Sequence, residues 1–333
     1  MPEHVDDWGL AVATGQCRVC GSSAGQRAFW PEVYAHSGQT LTRCGYCATV
    51  YLAPGFSEAG LVRFYSGPYR RLFPAEVPWR STARFFAWRG DVDVARQRFS
   101  LIGANLPPQA HLFEMGSGFG AFLGQAAQQR SDLQLSASEP DSAQRHALLG
   151  QAEVRFIDSL AALPERSLDG VVAFHVLEHL IEPLGFLQQA AMALRDGGRL
   201  WVEVPDLMSD WQTRLFVHPA HLSYFCADSL RRLAEAAGLQ VEYCGVHPLK
   251  ALEGTLWLEA LRPATPMYQP VAPATKQVVD AIDQWISRVG WGPKDRLKAL
   301  LKTMAIRVLG PGLVGEWQRW RQHRRHREEQ APR

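Results

Sequence analysis

The feature that most constrains this chain is a glycine-rich loop between a short apolar strand and an apolar helix. Residues 111–123 read His-Leu-Phe-Glu-Met-Gly-Ser-Gly-Phe-Gly-Ala-Phe-Leu. Glycine permits backbone conformations with φ > 0 and lets a ligand come close to the main chain. The unpaired N–H groups at the start of the helix would face that ligand. The sequence therefore predicts a strand, loop and helix that together bind a small molecule.

The spacing of the loop differs from the dinucleotide-binding fingerprint. Glu114 is followed by Gly116, Gly118 and Gly120, whereas that fingerprint is Gly-x-Gly-x-x-Gly. An acid before the first glycine suits a ligand that carries an amino group, and it does not suit a pyrophosphate. A plain tight turn is the alternative, and the rest of the chain has to decide between the two.

Strands and helices alternate after the loop. Strands are predicted at 133–141, 154–158, 197–206, 239–246 and 254–261, and a further strand at 168–180 runs into a loop and helix. Helices are predicted at 121–129 and 228–237. This alternation predicts an α/β fold with a doubly wound, Rossmann-like sheet. Because no helix separates the last two strands, the last strand should be antiparallel to its neighbours.

Acidic residues end two of these strands. Glu139 ends the second strand, about 20–25 residues past the glycines, where an open parallel sheet holds a ribose diol. Asp158 ends the third strand. An acidic turn without a ligand is the alternative interpretation of Glu139.

Four of the six cysteines form two Cys-x-x-Cys pairs. They are Cys17 with Cys20 and Cys44 with Cys47. Four thiolates match the tetrahedral preference of structural Zn²⁺, and in a reducing compartment such pairs indicate metal ligands and not disulfides. The sequence predicts a small zinc ribbon, with two turns of free thiols as the alternative.

The composition of the chain excludes several classes of protein. The formal net charge of the 333 residues is only +2, which favours neither disorder nor general binding of polyanions. No run of about 18 apolar residues predicts a membrane span, and the acidic first residues lack the apolar region of a signal peptide. We expect a cytoplasmic enzyme. The predicted parts are a zinc ribbon (1–50), an aromatic connector or lid (51–80), a core (81–263) and a helical C-terminal extension (264–333).

Together these motifs resemble the class I S-adenosylmethionine-dependent methyltransferases. The resemblance runs from about Ser81 to Pro263 and includes the segments 174–180 and 196–206, which are similar to the fourth- and fifth-strand signatures of that superfamily. It implies that Glu114, Gly116, Gly118 and Gly120 hold the methionine part of S-adenosylmethionine. It further implies that Glu139 binds the ribose, that Asp158 meets the adenine amino group, and that the loop around His175 passes beneath the sulfonium.

The cysteine pairs indicate which methyltransferases the chain resembles most specifically. A four-cysteine domain, an aromatic connector and this core are similar to the zinc-containing methyltransferases that act on nucleotide-linked deoxysugars. Those enzymes carry a His-Glu-His-Leu-Ser-Tyr-Phe signature, and residues 219–225 here read Pro-Ala-His-Leu-Ser-Tyr-Phe. Ala220 replaces the glutamate, and only about 70 residues follow the core. Both departures speak against C-methylation and favour O-methylation of a small-molecule, nucleotide-sugar or glycan acceptor.

A hydroxyl acceptor needs a base, and histidine is the usual choice near neutral pH. Of His175, His179, His218 and His221, we expect His221 to be the base, since its segment follows the fifth strand, with His179 as the second candidate. Tyr69 in the connector could close over the acceptor. A purely structural role for these histidines is the alternative.

Two other functions stay open at this point. Some RNA base methyltransferases also carry a four-cysteine zinc module, although residues 204–206 lack the signature of amino-group methylators and no basic stripe crosses the core. A zinc-ribbon interaction protein without catalysis is the third interpretation. The basic C-terminal helix, with Trp317, Trp320 and arginines between 319 and 327, could contact an anionic membrane, or it could be a solvated terminal helix.

Overall fold

The computed structural model describes residues 10, 15–30, 39–66, 91–149, 152–209, 217 and 219–289. The strands are β1 (Arg27–Trp30), β2 (Thr40–Arg43), β3 (Val50–Ala53), β4 (His111–Met115), β5 (Gln134–Ser138), β6 (Arg155–Phe156), β7 (Leu168–Phe174), β8 (Leu194–Pro205), β9 (Ser223–Tyr224), β10 (Gln240–Val246) and β11 (Thr255–Leu261). The helices are α1 (Glu58–Ser66), α2 (Asp91–Ile102), α3 (Ala121–Gln129), α4 (Ser142–Leu149), α5 (Pro183–Ala193), α6 (Ala227–Ala236) and α7 (Lys276–Val289).

The larger sheet has seven strands in the order β10-β11-β8-β7-β4-β5-β6. The β6-β5-β4-β7-β8 part is parallel throughout. β11 is antiparallel to both of its neighbours, β8 and β10. The predicted Rossmann-like sheet with an antiparallel last strand is therefore confirmed.

The chain reverses direction across the sheet at β4. From β4 the chain proceeds to β5 on one side, and it later returns to β7 on the other side. In open α/β sheets a ligand binds in the crevice outside the carboxyl ends of the strands at such a switch point. The loops that follow β4, β5 and β7 border this crevice.

Apolar side chains cover both faces of the larger sheet. On one face, Phe186 and Leu187 of α5 and Leu230 and Leu233 of α6 are buried in one cluster with the sheet. On the other face, a second buried cluster takes its helical members from α2 and α3. This burial on both sides explains why the central strands are runs of apolar residues.

The smaller sheet has four strands in the order β1-β2-β3-β9. Its first three strands come from the cysteine-rich segment, but β9 comes from the chain after β8. Val50 pairs with Tyr224, and Tyr51 pairs with Ser223. The smaller sheet therefore includes part of the segment that carries His221.

The outer segments are described only in part. Helix α2 is followed by a short 3₁₀ turn at Gly103–Asn105. Residues 67–90, with Tyr69, lie outside the described residues, as does His218. The chain divides into two compact units, 1–283 and 284–333. The C-terminal extension is described only up to Val289, so the basic segment around Trp317, for which the sequence predicts a helix, lies outside the described part. In the described segments, no helix has the length and apolar character that crossing a membrane requires.

Candidate cofactor and acceptor site

The glycine loop after β4 has the backbone that its sequence predicts. Gly116, Gly118 and Gly120 have φ angles of 67°, 53° and 78°. Residues with a Cβ atom rarely adopt such angles. A Cβ on Gly116 would lie 2.6 Å from Cγ2 of Val176. Gly120 is the N-cap of α3. The loop thus brings glycine backbone and the start of a helix to the crevice.

Glu139 follows β5 and holds the glycine loop in place. Its Oε2 accepts a hydrogen bond of 2.8 Å from the N–H of Gly118, and its Oε1 accepts one of 2.9 Å from the N–H of Asp141. Burial raises the pKa of Glu139 above its usual range, against the effect of these two bonds. The carboxylate therefore lies beside the loop, at the carboxyl end of β5.

Glu114 is a buried carboxyl group with one unpartnered oxygen. Its residue is 4% exposed, and Oε2 has no hydrogen-bond partner among the described residues. Burial raises its pKa well above the usual range, while the positive charge of Arg98 opposes that rise. A buried polar group of this kind is costly unless it is satisfied. A ligand with a cationic amino group would satisfy it.

Asp158 lies just after β6, on the same edge of the sheet. It is exposed, and its carbonyl oxygen accepts a bond of 3.1 Å from Oγ of Ser138. The structure thus brings the predicted acids at 114, 139 and 158 to the ends of three adjacent strands.

His175 follows β7 in a left-handed conformation, with φ of 55°. Its Nε2 lies 2.7 Å from Oε1 of Glu203, and its Nδ1 lies 3.3 Å from Oε1 of Glu178. Burial opposes the charged ring, but the hydrogen bonds with both carboxylates outweigh it and raise the pKa of His175 to about 10. At neutral pH the ring is an imidazolium whose charge is balanced by the two carboxylates.

Glu203 joins this histidine to Arg98 and His247. Its side chain is fully buried in β8, and Arg98 of α2 donates to both of its oxygens, at 2.9 and 2.6 Å. Nε2 of the buried His247 lies 3.2 Å from Oε2. Burial raises the pKa of Glu203, but the hydrogen bonds of His175 and His247 and the charge of Arg98 outweigh it and hold that pKa well below its usual range.

Three further side chains form a cluster beside His175. Ligand atoms of Glu178, His179 and His221 all lie within 4.8 Å of one another. The rings of His179 and His221 have centroids 4.9 Å apart. The two histidines that the sequence predicts as base candidates are therefore neighbours, near the carboxyl end of β7.

Tyr65 of α1 also reaches this cluster, with its hydroxyl oxygen 3.1 Å from Nδ1 of His179. Tyr65, Arg98 and Glu203 were not predicted as site residues from the sequence. A signal existed for Glu203, because it is the one acid inside the apolar run 200–205. No signal in the sequence separates Tyr65 from the other aromatic residues of its segment.

The four cysteines converge in the N-terminal part. The Sγ atoms of Cys17 and Cys47 are 3.7 Å apart, as are those of Cys20 and Cys44, and all four lie within 4.8 Å of one another. Four sulfur atoms about 2.3 Å from a tetrahedral zinc ion would be separated by about 3.8 Å. The donor set and its spacing fit zinc.

This cysteine cluster is joined to the segment of His221. Besides the pairing of β3 with β9, the N–H of Leu52 donates to the carbonyl of Leu222 at 3.1 Å, and Arg18 donates to the carbonyl of Leu52 at 3.1 Å. Arg232 of α6 donates to the carbonyl of Cys47 at 2.9 Å. The cysteine-rich segment therefore supports the position of His221.

Comparison with known proteins agrees with the fold. Residues 88–243 match the family model described as a methyltransferase domain. A probable S-adenosylmethionine-dependent methyltransferase of Mycobacterium tuberculosis is 36% identical over 86 residues, which are 25% of this chain and 31% of that protein. One of Mycolicibacterium smegmatis is 33% identical over 130 residues, 38% of this chain and 50% of that protein. The chain thus spans a third to a half of the length of these curated relatives.

Two solved structures are similar in outline. One is an S-adenosylmethionine-dependent methyltransferase from Aquifex aeolicus, with a TM-score of 0.41, 16% identity and coverage of 50% of this chain and 89% of that one. The other is phosphoethanolamine N-methyltransferase 2 of Haemonchus contortus, with a TM-score of 0.43, 13% identity and coverage of 50% and 52%.

The family match covers the glycine loop, Glu139 and the cluster at the end of β7. The mostly parallel sheet with an antiparallel β11 is the one that the sequence predicted. Residues 88–243 therefore match a methyltransferase domain, and the sheet has the α/β, Rossmann-like fold that the sequence predicted.

Proposed function

We propose that the whole chain is an S-adenosylmethionine-dependent methyltransferase that methylates a hydroxyl group of a small-molecule acceptor. The observation that carries this proposal is the unpartnered Oε2 of the buried Glu114 beside the glycine loop. The amino group and sulfonium of the cofactor make it a cation at the end that Glu114 would meet. The cofactor supplies an activated methyl group when it is bound.

Different residues at the crevice would bind different parts of the cofactor. Glu114, Gly116, Gly118 and Gly120 hold the methionine part, and the carboxylate of Glu139 is beside the loop to accept the ribose hydroxyls. Asp158 receives the adenine amino group. His175 lies beneath the sulfonium, where its own charge is balanced by Glu178 and Glu203.

The acceptor would bind beside His179 and His221. Methyl transfer is a direct displacement, so the enzyme orients the acceptor and takes up one proton. His221 is the first candidate for that proton and His179 the second. Tyr69 keeps its proposed role over the acceptor, although it lies outside the described residues.

We place the acceptor among nucleotide-linked sugars or glycans, in the biosynthesis of surface polysaccharide or natural products. Transfer of labelled methyl groups from S-adenosylmethionine into extracted nucleotide-sugar, glycan and RNA pools tests this. Label in the sugar or glycan pool is the expected result. Label in RNA alone would establish the RNA methyltransferase alternative, and a lack of transfer to every pool would support the non-catalytic one.

We also propose that Cys17, Cys20, Cys44 and Cys47 hold one structural Zn²⁺. The spacing of their sulfur atoms supports this, and so does the reducing cytoplasm, where we place the protein. The proposed peripheral contact of the basic C-terminal helix with a membrane rests on its sequence.

Replacing Cys44 by serine should release the zinc and lower the thermal stability of the N-terminal segment, since metal binding and folding are coupled. Because β3 pairs with β9, we expect turnover to fall as well. Elemental analysis of protein purified without chelator should give one zinc per chain. Cys244→Ser is the matched control, since Cys244 lies outside the cluster. Zinc-free protein with full stability would contradict the proposal.

A further inference from the structure

A second group of metal-ligating side chains lies away from the cysteines. Glu178, His179 and His221 each place a ligand atom within 4.8 Å of the other two. Ligands about 2.1 Å from a common ion are about 3.0–4.2 Å apart, so small side-chain rotations would bring all three into contact with one ion. Two imidazoles and one carboxylate are the donors of a well-known transition-metal arrangement with open positions.

The carboxylate of Glu178 is only half satisfied. The side chain is 2% exposed, and its Oε1 is shared with Nδ1 of His175 at 3.3 Å. Its Oε2 is buried and has no hydrogen-bond partner among the described residues. Leaving such an oxygen unmatched costs free energy, and a cation would remove that cost.

His179 is oriented as metal-binding histidines are. Its Nδ1 lies 2.8 Å from the carbonyl oxygen of Ala220. A carbonyl can only accept, so in the neutral ring Nδ1 carries the hydrogen and Nε2 carries the lone pair. That Nε2 lies 3.9 Å from Oε1 of Glu178. Donation of the second ring nitrogen to a carbonyl is the usual support of a metal-ligating histidine.

Backbone contacts fix the position of His221 relative to Glu178. The N–H of Leu222 donates to the carbonyl of Glu178 at 2.7 Å, and Leu222 is the residue next to His221. Ala220 is fully buried in a cluster with Phe56 and Phe64. The His221 segment is therefore held against the end of β7 on both sides, as a preformed site requires.

We propose that Glu178, His179 and His221 bind one divalent cation of the first transition series, such as Mn²⁺, and that this cation binds the acceptor hydroxyl. This inference rests on the proposed function for the identity of the acceptor, but the binding of the cation does not. A hydroxyl on such an ion has a lowered pKa. The acceptor then loses its proton to water and attacks the methyl carbon. The new O–C bond forms as the C–S bond breaks, and the sulfur keeps the electron pair as a thioether.

This arrangement gives His221 a different task from that of a general base. A His221 ring that binds the cation cannot also accept the acceptor's proton. The two roles therefore predict opposite dependence of turnover on the cation. With a ligand role, turnover requires the cation; with a base role, turnover continues without it.

The test is a titration of the full-length, zinc-containing protein with Mn²⁺ alone, followed by the electron paramagnetic resonance signal of free Mn²⁺. Thiolates are soft ligands and do not favour Mn²⁺, so the cysteine cluster does not interfere. We expect one Mn²⁺ per chain, and at least about tenfold weaker binding in Glu178→Gln and in His221→Gln. Glu182→Gln and His146→Ala change exposed residues of the same types and should bind like the original protein.

A lack of Mn²⁺ binding, or equal binding by the original protein and both ligand variants, would overturn the cation site. Far-ultraviolet circular dichroism confirms that each variant is folded. Calorimetry with S-adenosylmethionine distinguishes a failure of the proposed cation site from a failure of the proposed function. Normal cofactor binding and methyl transfer without any Mn²⁺ site would leave His221 as the base, whereas a lack of cofactor binding would reject the function whatever the metal result.

Discussion

Alanine in place of His221 should lower turnover about 10²–10⁴-fold and leave the affinity for S-adenosylmethionine unchanged. The ring lies beside His179 and Glu178, in a segment separate from the glycine loop. Whether the imidazole takes the acceptor proton or holds a cation, its loss removes the group that activates the hydroxyl. The cofactor contacts that we propose, through Glu114 and Glu139, do not involve it.

Initial rates of methyl transfer and calorimetric titration with the cofactor measure the two quantities separately. His146→Ala is the matched control, because His146 is an exposed histidine on α4, and it should retain the original rate. Normal turnover of His221→Ala on the true acceptor would contradict the account, and His179 would then be the residue to test.

Leucine in place of Glu203 should lower the free energy of unfolding by about 3–5 kcal/mol, the usual effect of removing one partner of a buried ion pair. Glu203 is fully buried and faces Arg98, His175 and His247. Leucine has a similar size, so the loss would come from the uncompensated positive charges of Arg98 and His175 and not from a cavity. Urea denaturation at neutral pH measures the change.

The pH dependence of stability provides a second measurement on the same variant. The pKa of His175 is raised from 6.5 to about 10, so its contribution is complete below pH 6.5 and is lost as the pH rises through about 10. The pKa of Glu203 is lowered, so its contribution is present above the unfolded pKa and is lost as the pH falls. Because 39% of the His175 side chain is exposed, solvent screens part of its effect.

We therefore expect the stability of the original protein to decline between pH 7 and pH 10, and that decline to be much smaller in Glu203→Leu. Glu165→Leu replaces an exposed glutamate and should change neither the stability nor its pH profile by more than about 0.5 kcal/mol. Equal stability of Glu203→Leu and the original protein would show that the charges of Arg98 and His175 are compensated elsewhere.

The order of elements in the core followed from the sequence because its signals are local. The run from Leu112 to Gly120 combines an apolar strand, three glycines and a helix start, and each of these dictates its own backbone. The missing helix between the last two strands predicts the antiparallel β11 for the same reason. Glu139 could be placed beside the loop because its distance along the chain is set by one strand–helix–strand unit.

The acceptor site could be predicted only in part, because its contacts are distant in sequence. Tyr65 and His179 are separated by 114 positions, and Arg98 and Glu203 by 105. The hydrophobic periodicity of a sequence carries no information about contacts between residues so far apart. The pairing of β9 with β3 is equally hidden, since two residues are too short for a strand pattern. The sequence therefore identified His179 and His221, but it could not show their neighbours.

The most direct test of the account is calorimetric titration of the full-length protein with S-adenosylmethionine, for the original chain and for Gly118→Val. Gly118 has φ of 53°, and its N–H donates to Glu139, so a branched side chain would strain the loop and separate it from that carboxylate. Gly185→Val is the control, since a Cβ there meets no atom closer than 3.7 Å. The account predicts one cofactor per chain for the original protein and the control, and no detectable binding by a folded Gly118→Val protein. Unchanged affinity in Gly118→Val, or a lack of binding by the original protein, would contradict it.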